Sequence, residues 1–70
     1  MSATDTYHAL WVAYGQAGVT GTIRRSENGY LVTMAGADES AGEYPTMEIA
    51  KSALYSRMTP GSDWPQFRQH

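Results

Sequence analysis

Thr46-Met47-Glu48-Ile49-Ala50-Lys51-Ser52-Ala53-Leu54-Tyr55-Ser56-Arg57-Met58 is the one stretch that reads clearly as a helix. The segments before it read as strands in need of a cover. Thr46 suits the N-cap, where a side-chain hydroxyl accepts a backbone N–H that the first turn leaves unpaired. Glu48 falls in that first turn, where negative charge complements the helix dipole. Pro45 disfavours a helical Tyr44 and so sets the start sharply. On a wheel of ~3.6 residues per turn, Met47, Ile49, Ala50, Ala53, Leu54 and Met58 share one side. Glu48, Lys51, Ser52, Tyr55 and Ser56 share the other, and Thr59-Pro60-Gly61 is the stop. This is an amphipathic helix suited to lie on a sheet.

Upstream, Tyr7–Tyr14 is rich in aromatic and β-branched residues and reads as a first strand. Its alternation separates His8, Leu10, Val12 and Tyr14 from Tyr7, Ala9, Trp11 and Ala13. The first set is expected to face the helix, which puts Trp11 on the opposite face. Gly15-Gln16-Ala17-Gly18 is a loop. Val19–Ser26 and Tyr30–Ala35 then form a hairpin, with Asn28-Gly29 as the favoured pair for a two-residue turn. That register sets Arg25 opposite Val32 and Ile23 opposite Met34. A three-residue loop, Glu27-Asn28-Gly29, would instead set Ile23 opposite Thr33 and turn over one strand's face. The first is preferred because it groups Ile23, Tyr30, Val32 and Met34 on the core face. Gly21 falls on that face too, where a missing side chain lets a helix approach closely.

Gly36–Glu43 is an acidic loop of small residues, and Gly42–Tyr44 can add a short edge strand. After the helix, the tail from Thr59 to His70 carries Trp64 and Phe67 among Pro60, Gly61 and Pro65. A short helical turn over Pro65–Arg68 would bring both rings to one side. Rings of this size bury ~150–250 Å² each, so the tail is expected to dock on the helix end or a sheet edge. The rival reading is a tail ordered only on binding a partner.

With 70 residues and no cysteine, the chain forms one small domain whose stability rests on packing alone. Residues 1–6 are expected to fray and 59–70 to dock. Such a chain buries only about 60% of its unfolded surface, so its margin is narrow. Hydrophobic residues at 41% and charged residues at 17% fit a globular domain. The start has neither the basic nor the apolar region of a signal peptide, and no apolar run approaches the ~20 residues that span a membrane. The expected location is cytoplasmic, with no membrane partner. A net charge of −2 disfavours a nucleic-acid partner.

The residues offer little chemistry. His8 and His70 are the only histidines and have no neighbours at ligand spacing, so no metal is expected. No serine is paired with a histidine and a carboxylate. Asp38-Glu39 reads as a solvated acidic turn, and Gly15-Gln16-Ala17-Gly18 leads into a strand rather than a phosphate-holding helix N-terminus. The expectation is a non-enzymatic module without a cofactor. The face away from the helix is its candidate binding surface, bearing Tyr7, Trp11, Thr20, Thr22, Arg24, Leu31 and Thr33. Trp64 and Phe67 are candidate tail contacts.

Strand–strand–strand–helix, with Arg24-Arg25 through Asn28-Gly29-Tyr30 and on to Tyr44-Pro45-Thr46, resembles the arm-type DNA-binding domains of tyrosine recombinases. That resemblance implies a three-stranded sheet backed by one helix, whose open face enters the major groove through Thr22, Arg24, Leu31 and Thr33. Here this face has one Arg where that family carries several basic residues. Glu27-Asn28-Gly29-Tyr30-Leu31-Val32, with Thr46 and Ala50, Ala53 and Leu54, is also similar to HicB-type antitoxins, which implies a small domain that binds a toxin protein. Ala35-Gly36-Ala37-Asp38 stands in place of that family's Pro-Asp-Leu turn.

The expected architecture is therefore α+β: an antiparallel three-stranded meander, one packed C-terminal helix and an aromatic tail. The expected role is binding a protein partner or a second copy. The alternative is DNA binding through Trp11, Thr22, Arg24 and Thr33.

Overall fold

A computed structural model describes residues 9–70. Along the chain come β1 (Leu10–Gly15), β2 (Gly18–Ser26), β3 (Gly29–Met34), β4 (Gly42–Tyr44), α1 (Met47–Ser56) and β5 (Gln66–Gln69). The strands form one antiparallel sheet in the order β4-β3-β2-β1-β5, and α1 lies over β2, β3 and β4. The α+β class stands, but the sheet has five strands rather than three. Gly42–Tyr44 supplies the edge strand beside β3. The tail supplies the other edge. Tyr7, His8 and the fraying expected of Met1–Thr6 lie outside the described residues.

Helix α1 begins as its sequence dictates. The Thr46 hydroxyl accepts the Ile49 N–H at 3.1 Å, and Glu48 sits in the first turn. The helix ends at Ser56, two residues before Met58, where the Arg57 N–H turns back to the Leu54 carbonyl. Its buried side is rotated from the expected one. Ala50 and Leu54 are fully buried, but Ile49 is 47% exposed while Lys51 and Tyr55 are half-buried. The cause is the fifth strand, because Lys51 and Tyr55 face the tail rather than solvent.

The hairpin keeps its faces but shifts its register. Ser26 pairs with Gly29, Ile23 with Val32 and Gly21 with Met34, so the two turn residues are Glu27-Asn28. A net shift of two residues leaves every side chain on its expected face. Gly29 is needed in the strand instead of the turn, since a Cβ there would run into the Tyr44 carbonyl.

Strand β1 is inverted relative to expectation. Trp11 pairs with Ile23 and Ala13 with Gly21, so both lie on the helix side and Leu10 and Val12 lie on the other. Ala13 and Gly21 form a low floor that Leu54 reaches, which two larger residues would block. Trp11 meets Tyr30 with ring centroids 5.9 Å apart. The core is Ala13, Ile23, Val32, Ala50 and Leu54, ringed by half-buried Trp11, Tyr30, Met34, Tyr44 and Phe67 among others.

The tail docks on a sheet edge, but as strand β5 and not as a helical turn. Gln66–Gln69 pairs antiparallel with Tyr14–Trp11, and the His70 N–H donates to the Leu10 carbonyl at 2.7 Å. One isolated helical turn leaves most of its backbone groups unpaired, whereas an extended segment satisfies the exposed edge of β1. Trp64 stacks on Tyr55 with centroids 5.0 Å apart, Phe67 lies 6.2 Å from Trp64, and Lys51 Nζ sits 5.1 Å above the Phe67 ring.

Candidate binding face of the sheet

Because α1 covers one side only, the register arranges the other side in rows. Leu10, Arg24, Leu31 and Glu43 lie directly opposite one another from β1 across to β4. In the next row, Arg68, Val12, Thr22 and Thr33 run from β5 to β3. Tyr14 pairs with Gln66 beyond them. Leu10, Val12, Leu31, Thr22 and Thr33 are half-buried by their neighbours alone; Arg24, Arg68 and Glu43 are exposed around them.

Two contacts order the margins. The Ser26 hydroxyl donates to the Glu43 carboxylate and also lies 3.1 Å from the Gly29 carbonyl, which holds Glu43 at the β4 edge. At the opposite edge, Tyr14 Oη is 3.0 Å from His70 Nε2. The result is a face of aliphatic and hydroxyl side chains with Arg24 on its central strand and with Arg68 and Glu43 on its edge strands.

Four of the anticipated face residues, Thr22, Arg24, Leu31 and Thr33, come together here. Trp11 does not, since it belongs to the helix side and packs against the core. Thr20 does not either. It is the extra residue of a bulge where Ala13 pairs with Gly21 but Tyr14 pairs with Val19. Its hydroxyl donates to the Ala13 carbonyl at 3.2 Å. Its methyl would meet a Gly15 Cβ at 2.8 Å, close to the Met58 methyl. Tyr7 lies outside the described residues. Trp64 and Phe67 form an aromatic group with Tyr55 beside the helix, with Trp64 52% exposed.

The residues that sequence reading missed are Leu10, Val12, Gln66 and Arg68. For Gln66 and Arg68 the signal was the alternation of Gln66-Phe67-Arg68-Gln69, with a single apolar residue flanked by polar ones, which is a strand pattern; Leu10 and Val12 had none, because β1 carries apolar residues on both faces.

A second concavity of about 740 Å³ opens at the far end of the molecule, between the β1–β2 turn and the end of α1. Val19, Met34, Met58 and Trp64 line it, with Arg57 and Asp63 at its mouth. The Asp63 carboxylate accepts the Gln16 side-chain amide at 2.9 Å, and the Tyr55 hydroxyl donates to the Ser62 carbonyl at 2.6 Å. These bonds fix the segment that leads into β5. Among the described residues, no three His, Asp or Glu side chains gather as metal ligands would, and no helix is long and apolar enough to cross a membrane. Compared with models of protein families, with characterised proteins and with solved structures, the chain matches none.

Proposed function

We propose that this protein is a non-catalytic binding module that receives a protein partner on the open face of its sheet. One observation carries the reading. Leu10 and Val12 on β1 and Leu31 on β3 share with Thr22 and Thr33 a face that no described element covers, with Arg24 set between Leu10 and Leu31 and with Arg68 and Glu43 on the two edge strands. Apolar side chains beside an arginine are a composition that protein interfaces favour, since arginine is enriched there. The test is affinity capture from cell extract with the native chain and with Leu31→Lys in parallel. A partner kept by the native chain and lost by Leu31→Lys supports the proposal. Equal retention by both sinks it.

A second reading has its own support, because β5 brings Arg68 onto the same face as Arg24, with Thr22, Thr33 and Gln66 between and beside them. Such groups suit contacts to a nucleic-acid backbone and to base edges. With two phosphates neutralised, the logarithm of affinity for duplex DNA falls with a slope of about −2 against log salt. Titration of mixed-sequence duplex at low salt decides it. Saturable binding with that slope, lost in Arg24→Ala, favours DNA over a protein partner.

A further inference from the structure

We draw no further inference here: the strongest candidate, the concavity of about 740 Å³ between the β1–β2 turn and the end of α1, sets the opposite charges of Arg57 and Asp63 around an apolar lining, and nothing in the structure shows what fills it.

Discussion

Leu54 fills the space that Gly21 leaves open. A Cβ on Gly21 would come within 3.2 Å of Leu54 Cδ1 and 2.8 Å of the Thr33 carbonyl, so the helix sits as close to β2 as the glycine allows. Gly21→Ala should therefore destabilise by about 1–3 kcal/mol through overpacking. Leu54→Ala, at a fully buried site, should cost about 2–5 kcal/mol. Urea melts measure both, and a neutral Gly21→Ala would mean that the helix does not rest on that floor.

The helix start can be tested apart from its packing. Thr46 is exposed, and its stabilising contact within α1 is the hydroxyl bond to the Ile49 N–H. Thr46→Ala should cost about 1 kcal/mol, while Thr46→Ser should be close to neutral. Equal losses for the two would point to the methyl instead of the cap.

Tyr55 is expected to matter despite lying on the polar side of the helical wheel. It stacks on Trp64 and donates to the Ser62 carbonyl, so Tyr55→Ala should cost about 1–3 kcal/mol. Ser52→Ala, at an exposed position on the same helix, should stay within about 0.5 kcal/mol. A Tyr55→Ala melt indistinguishable from Ser52→Ala would detach the tail from the helix.

How much of this could be read beforehand depended on how local the cause was. The Thr46 cap, the Gly21 floor and the shared face of Ile23, Val32 and Met34 follow from neighbours in sequence. The hairpin register did not, because Asn28-Gly29 satisfies the usual turn preference while Gly29 is committed to Tyr44, fifteen residues on. The inversion of β1 was equally hidden. Leu10-Trp11-Val12-Ala13 alternates apolar residues on both faces, and only the choice of partner for Ala13 settles which one is covered. Strand β5 was masked by Trp64 and Phe67, whose three-residue spacing also suits a helical turn. With β5 unread, Gln66 and Arg68 were missing from the open face, while the inversion of β1 hid Leu10 and Val12.

Truncation after Pro60 removes β5, both tail aromatics and the partners of β1's outer edge. The shortened protein should melt at least ~10 °C lower, as the loss of the half-buried Phe67 ring and four strand residues implies for a domain this small. An unchanged melting temperature would show that β5 is not integral to the sheet.

Arg24 should be dispensable for folding and not for recognition. It is exposed and has no close backbone constraint, so Arg24→Ala should shift stability by no more than about 0.5 kcal/mol. Thermal melts check the first half, and binding of any partner captured through Leu31 checks the second. An Arg24→Ala protein that binds as well as the native chain would move the recognition surface away from this row.

The bond between Leu10 and His70 also has a kinetic meaning. It joins residues from opposite ends of the described chain, while the β1–β2 and β2–β3 pairs close over loops of two residues. Closing a long loop must be compensated by contacts that form only afterwards, so distant pairings lag behind neighbouring ones. The hairpins and α1 are thus expected to assemble first, leaving β1 as a bare margin until β5 arrives. In that interval the early species presents an unpaired strand, and the speed of the final docking step sets how long it is vulnerable to aggregation.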